Sequence, residues 1–354
     1  MTRPSTYAHS RYLEAKRTVD DRALHRPTLD RLREALADRP TPLCVVEAGC
    51  GTGTMLRRLL EWGVLPDEVV YRGYDLREGA LDRAVDELEA WVDGARYVDA
   101  EDAVTDGDAV DAIDDATGRI DSESDPNRAV RLSGDDGETV TATFAAADAV
   151  EIARRTDAEY DLLVGCAFLD IVDLDRALDP LLGLIPGGLA YFPITFDGET
   201  FFAPEFGDEE GIDEATERAV LDVYHATMDA PDRPGGSRTG RGLFAALPAV
   251  GAEVVAAGGS DWVVTPPYPA DEAYFLHHLV DGIEGAVREA LVGNDGERVD
   301  GESVDDDANG VAARLSPERV SAWADARHRA VADGRLNFGA HNLDVLARVG
   351  PNDG

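Results

Sequence analysis

Between Val45 and Gly53 the chain reads Val-Val-Glu-Ala-Gly-Cys-Gly-Thr-Gly, an apolar run that meets an acidic residue and then three alternating glycines. Glycines at 49, 51 and 53 permit a tight turn and let a ligand approach the backbone. A helix starting just after them presents unpaired N–H groups. The chemistry this suits is ligand binding where a first strand turns into a first helix. A dinucleotide fingerprint, Gly-x-Gly-x-x-Gly, fails in both frames: counted from Gly51 the last position is Leu56, and from Gly49 it is Thr54. A phosphate-cradling Walker loop needs Gly-Lys-Ser or Gly-Lys-Thr, and the lone lysine, Lys16, is elsewhere.

Three further positions fall at the ends of predicted strands. Asp75 closes EVVYRGYD, 22 residues after Gly53, and a carboxylate there can accept two hydrogen bonds. Asp148-Ala149 follows ETVTATFAAAD, and Cys166, Ala167 and Phe168 follow YDLLVG. Four consecutive predicted strand ends thus hold a candidate ligand contact, whereas a glycine-rich loop alone would be weak.

This pattern resembles motif I and its successors in the class I S-adenosylmethionine-dependent methyltransferases of the small-molecule type, with the acidic residue two positions before the first glycine. The similarity covers roughly residues 41 to 200, and the chain ends more loosely. It implies that Glu47, Gly49, Cys50, Gly51 and Gly53 shape the methionine side of a cofactor site. Asp75, with Leu76 beside it, would hold the ribose, Asp148 and Ala149 the adenine, and Cys166, Ala167 and Phe168 would meet the cofactor from the fourth strand. The cofactor implied is S-adenosyl-L-methionine and the reaction a methyl transfer to an O-, N- or C-nucleophile. Because the sulfonium supplies an activated methyl group, such a protein works by holding the acceptor in line at about 3 to 3.5 Å and excluding water. A general base is dispensable for a free amine or an ionised oxygen, so the acceptor's identity leaves little trace.

Candidates for acceptor contacts are Tyr12, Lys16 and Arg17 near the N-terminus, Phe168 and Asp170 after the fourth strand, and Tyr224, His225 and Arg238 further on. Asp170 and His225 are the candidate catalytic groups. Each has a plain alternative: Asp170 as the cap or first turn of a crossover helix, His225 as a packed or solvent-facing side chain. Arg238, in Ser-Arg-Thr-Gly-Arg near a helix start, suits an anionic acceptor held by N–H groups and guanidinium together. His277 and His278 diverge by about 100° on a helix and read as structural. His341-Asn342 reads as interior to the sheet. Two rival functions stand beside methyl transfer: a non-catalytic sensor or scaffold that binds the cofactor or its product, and a nicotinamide-dependent oxidoreductase.

The elements expected to position these residues alternate strand and helix from Pro42 onward, which indicates a Rossmann-like α/β fold. The resemblance implies seven strands with the last antiparallel and helices on both faces. Residues 1–40 read as an N-terminal helical cap, interrupted near Pro27, and 41–354 as the cofactor-binding domain. Acidic stretches near 99–137 and 292–312 read as loop or mobile insertions, and 203–235 as a helical insertion. Ser237 or Thr239 is expected to cap the helix that follows it.

Seventy-one acidic residues against 33 basic ones give a formal charge of -38. Such self-repulsion destabilises a compact chain in dilute buffer and is screened at high salt, so the composition resembles that of haloarchaeal proteins. It disfavours a nucleic-acid partner, which would need a basic patch. No run of roughly 20 apolar residues suits a membrane, and the polar start reads as cytoplasmic. Cys44, Cys50 and Cys166 lack the spacing of a zinc site or a disulfide framework. A small-molecule acceptor is the expected partner, bound by a monomer or a homodimer.

Overall fold

The strand Leu43–Ala48 (β1) is buried at all six positions, as expected of a central parallel strand covered on both faces. In this computed structural model, residues 2–92, 97, 99–102, 128–205, 212–231, 233–294 and 315–351 are described. The chain divides into two compact units. One takes Met1–Ala23, Asp197–Ser237 and Asp261–His341, and the other Leu24–Phe196, Arg238–Ser260 and Asn342–Gly354.

The second unit holds β1, then Thr54–Glu61 (α3), Glu68–Asp75 (β2), Glu78–Ala90 (α4), Asp99–Asp102 (β3), Arg128–Ser133 (β4) and Thr139–Ala146 (β5). Ala149–Ala153 (α5), Leu162–Val164 (β6), Leu174–Gly183 (α6) and the first half of Leu189–Ala203 (β7) follow. Arg26–Leu36 (α2), Thr239–Ala249 (α8), Ala252–Gly259 (β8) and the end of Asn337–Val349 (β10) complete it. The strand order is β3-β4-β5-β2-β1-β6-β7-β10-β8. β1 pairs in parallel with β2 and β6, β2 with β5, and β6 with β7, while β10 runs antiparallel to β8. The run from β5 to β8 is the expected seven-stranded arrangement with its antiparallel member.

Part of the stretch expected to be an acidic insertion is strand. β3 and β4 pair antiparallel with each other, and β4 with β5, so they extend the sheet at its edge. The sequence Asp-Ala-Glu-Asp of β3 lacks the alternation that marks a strand, and the pairing rather than propensity selects its conformation. Residues 103–127 and 295–314, the remainder of the two acidic stretches, lie outside the described residues, as do 206–211 and 232 of the helical insertion.

Asp344 organises the far side of this sheet. Fully buried, it accepts hydrogen bonds from the Tyr191 hydroxyl at 2.8 Å, the Ile194 amide at 3.0 Å and the His25 amide at 2.9 Å. One carboxylate thereby joins β10, β7 and the N-cap of α2. Ile194 has a φ of 55°, and the bond from its amide offsets that strained backbone next to Pro193 in β7.

The first unit contains His9–Ala23 (α1), the distal half of β7, Glu214–Met228 (α7), Trp262–Val264 (β9), Glu272–Asn294 (α9) and Pro317–Ala332 (α10). β9 pairs antiparallel with the start of β10, Val264 opposite Phe338. Helices α1, α7, α9 and α10 pack together, closed by Trp323, whose indole donates to Glu217 at 2.9 Å, while Arg327 bonds the same carboxylate at 2.7 Å. Glu272, with no exposed surface, accepts from Thr18 and Arg22, each at 2.6 Å. Pairing both ways keeps these buried charges from being left uncompensated. Among the described residues no helix is long and apolar enough to cross a membrane.

Candidate functional site

The glycine-rich loop leaves β1 at Ala48 and folds back onto β2. The amides of Gly49 and Cys50 both donate to the Tyr74 carbonyl, at 2.8 and 2.9 Å, and the Gly51 amide donates to Asp75 Oδ2 at 3.0 Å. Asp75 Oδ1 accepts from the Arg77 amide at 2.9 Å. Each oxygen thus holds one backbone N–H and retains lone-pair capacity on a half-buried carboxylate at the end of its strand. Beside it Leu76 is 73% exposed.

Gly49 and Gly53 adopt φ of 70° and 69°, the left-handed region that favours glycine. A Cβ at Gly49 would also meet the Phe168 ring at 2.7 Å, so the glycine lets the loop after β6 close against the loop after β1. Gly53 is the N-cap of α3 and packs against Ala84 of α4. Cys50 points inward, into the space left by Gly73, where a Cβ would stand 2.8 Å from its sulfur. Burial, with Glu47 and Asp75 nearby, pushes its thiol well above the usual range.

Glu47 is buried beneath the loop and accepts from the Tyr71 hydroxyl at 2.7 Å. Burial pushes its carboxyl up to about 8, with the Asp75 charge adding to the rise; the Tyr71 bond and Arg58 act in the opposite direction. Tyr71 was not among the residues singled out from the sequence. The pairing depends on register: Tyr71 and Gly73 share one face of β2, and β1 places Glu47 opposite Gly73.

On β5 the order of residues leads Ala146, opposite Asp75, to Asp148 two positions on. Asp148 is the N-cap of α5, its Oδ1 accepting from the amides of Val150 at 2.9 Å and Glu151 at 3.3 Å; Ala149 is buried as the first helical residue. From β6, Cys166 and Ala167 are half-buried and Phe168 is buried. Ala167, with φ of 48°, donates its amide to Pro193 at 3.0 Å. Glu47, the loop glycines, Cys50, Asp75, Leu76, Asp148, Ala149 and 166–168 are thus brought to the carboxyl ends of β2, β1, β5 and β6. The order reverses between β1 and β6, where open α/β sheets have a binding crevice.

Asp170 is neither the cap nor the first turn of the crossover helix. It sits in the short 3-10 turn Leu169–Ile171, and Asp173 caps α6 by accepting from the Arg176 amide at 3.2 Å. The expected cap of α8 also differs. Arg238 holds the N-cap position without a side-chain bond, while Ser237 gives its amide and hydroxyl to Asp229, each at 2.7 Å.

The remaining candidates, Asn342 excepted, lie in the first unit. Tyr12 stacks on His278 at 4.4 Å between ring centres and on Phe275 at 5.7 Å. Lys16 pairs with Asp20 at 3.4 Å and lies over Trp262 at 5.3 Å, and Arg17 is half-buried on the same helix. His225 Nε2 is 3.1 Å from the Thr200 hydroxyl, with the Tyr224 ring beside it. His277 and His278 do diverge, the first toward His328 and the second toward Tyr12. Asn342 is buried as expected, but His341 is not interior: it is half-exposed, with Nδ1 2.6 Å from Asp261 and Nε2 3.7 Å from Asp197. One of its carboxylate neighbours, Asp197, is buried, and the other, Asp261, is exposed.

No family model matches the chain, and no curated protein matches its sequence. Among solved structures it is similar to a protein of Bacillus halodurans described as a methyltransferase, at 9% identity and a TM-score of 0.43, covering 92% of this chain and 99% of that one. It is also similar to a SAM-dependent methyltransferase of Geobacter sulfurreducens in complex with S-adenosyl-L-homocysteine, at 15% identity and a TM-score of 0.36, covering 92% of each chain. A third is a phosphoethanolamine N-methyltransferase of Haemonchus contortus, at 13% identity and a TM-score of 0.36. That match covers 92% of this chain, which spans 53% of the length of the Haemonchus protein.

Proposed function

We propose that the chain binds S-adenosyl-L-methionine at the carboxyl ends of β1, β2, β5 and β6 and transfers its methyl group to a small-molecule acceptor. The observation that carries this reading is the loop of three glycines folded onto Asp75, with Gly51 donating to one oxygen of the carboxylate and Arg77 to the other. Two backbone bonds orient Asp75 and leave it lone pairs for the two ribose hydroxyls. The exposed face of Leu76 offers an apolar surface to the adenine, and Asp148, already fixed by capping α5, offers its Oδ2 to an exocyclic amine.

When bound, the cofactor supplies an activated methyl group on a sulfonium. The chain's residues position and shield. Phe168 closes over Gly49 and excludes water from the floor of the site. Glu47 is too deeply buried to touch a ligand directly. With Tyr71 it supports the loop from below, and a carboxyl held largely protonated adds little negative charge there.

Calorimetry in high salt with S-adenosylmethionine, S-adenosylhomocysteine and NAD tests the reading. Binding of the first two without NAD is expected. Asp75→Ala should weaken both by about 1 to 3 kcal/mol, since hydrogen bonds to a charged group are lost. Absence of binding by either adenosyl ligand to the folded chain would refute the cofactor, and unchanged affinity in the variant would refute the role of Asp75. A protein that binds the cofactor yet transfers no methyl group to any amine, hydroxyl or carbon acceptor would favour the sensor reading.

A further inference from the structure

Helices α9 and α10 pack together in the first unit and carry two polar pairs of the same spacing, Asp281-x-x-Glu284 and Asp325-x-x-His328. Residues three apart on a helix share a face, and packed helices that each present such a pair are a recurrent way of building a metal site. An oxygen of Asp281, an oxygen of Glu284 and a ring nitrogen of His328 lie within 4.8 Å of one another.

The histidine supplies the independent observation. His328 is only 4% exposed, and its Nδ1 is taken up by His277 Nδ1 at 2.9 Å. The other ring nitrogen, Nε2, is buried with no hydrogen-bond partner among the described residues. Buried polar atoms in native folds are almost always satisfied, so this nitrogen calls for a ligand from outside the fold. When His328 donates its Nδ1 proton to His277, Nε2 carries the lone pair that a metal requires.

The carboxylates already attract positive charge. Arg3 reaches Asp281 at 2.8 Å, Glu284 at 3.4 Å and Asp325 at 3.2 Å. Glu284 Oε1 accepts from the Ser321 hydroxyl at 2.7 Å and from Arg288 at 3.3 Å, and these outer bonds fix the carboxylate whose Oε2 faces Arg3. We propose that Asp281, Glu284 and His328 form a site for a first-row divalent cation, zinc by the mixed nitrogen and oxygen ligand set, for which Arg3 is the competing cation. Two carboxylates and one imidazole, with water in the fourth position, suit zinc better than magnesium or calcium, whose sites are built from oxygen alone. The sequence hid this group because its ligands come from two helices separated by an acidic stretch.

Cobalt(II) is the probe, since its visible absorption reports imidazole ligation at low coordination number, which solvated surface carboxylates do not produce. The full chain is titrated in high salt to suppress diffuse binding to the acidic surface. A saturable one-to-one visible band, abolished by added zinc, is expected. Arg3→Ala should tighten binding by about tenfold or more, and Glu284→Gln and His328→Gln should each weaken it by at least about tenfold. Far-ultraviolet circular dichroism checks each variant. Should His328→Gln fail to fold, Glu284→Gln decides, because its substitution leaves the buried histidine pair in place. No band in either the parent or Arg3→Ala overturns the site, as does a band that survives the glutamate substitution.

Discussion

At the scale of single residues, Glu47 shows how burial beneath the glycine-rich loop sets the protonation of a carboxyl. Its carboxyl is raised from an ordinary value of 4.5 to about 8, chiefly by burial. The sign follows from linkage: the folded state holds a proton that the unfolded chain has lost, so this contribution is fully present below about 4.5 and disappears as pH rises through about 8. Within that window stability should fall with pH by up to about 1.4 kcal/mol per unit from this one group. Glu47→Gln keeps an acceptor for Tyr71 and cannot ionise. Denaturant unfolding at constant salt should therefore show the variant gaining on the parent protein between pH 5 and 8, and parallel curves would disprove the buried acid. The glycines and Asp75 were legible in the sequence because their spacing relative to strand ends is local. The Tyr71 bond was not, because finding it requires the register of β1 against β2.

At the scale of elements, the parallel rhythm of strand and helix was readable from hydrophobic pattern, whereas the elements fixed by pairing or turn chemistry were not. β3 has no apolar alternation and exists through β4. The turn at Leu169–Ile171 moves the cap of α6 from Asp170 to Asp173, a shift that no count of residues reveals. Asp344 is the strongest case of long-range dependence, since its three donors come from segments distant in sequence. Asp344→Ala would leave the Tyr191 hydroxyl and the Ile194 and His25 amides unpaired in the interior. The expected loss is about 3 to 5 kcal/mol, less than three separate penalties would sum to, because local relaxation is shared. Asp344→Asn, which retains one carbonyl acceptor, should lose less. Equal stability of the alanine variant and the parent protein in denaturant titrations would show that the carboxylate is dispensable to the joint between β7, β10 and α2.

At the scale of the whole molecule, charge decides the conditions under which the fold persists. The formal charge of -38 is spread along the chain rather than gathered in one place. Many of the ion pairs are exposed and lie three or four residues apart on one helix, such as Arg31 with Glu34 and Arg218 with Glu214. Pairs of that kind contribute at most a few tenths of a kcal/mol, too little to offset repulsion among so many unpaired carboxylates. Screening is the larger effect: the range of Coulomb forces falls from about 10 Å at 0.1 M salt to about 3 Å at 1 M. The midpoint of thermal unfolding should therefore climb steadily as potassium chloride is raised from about 0.1 to about 2 M. Replacing several exposed aspartates by asparagine should flatten that climb by raising the low-salt end, which separates screening from a general strengthening of apolar burial by salt. A midpoint independent of salt, or a variant as salt-dependent as the parent protein, would mean that the acidic surface carries no such repulsion and that the high-salt reading of this composition is wrong.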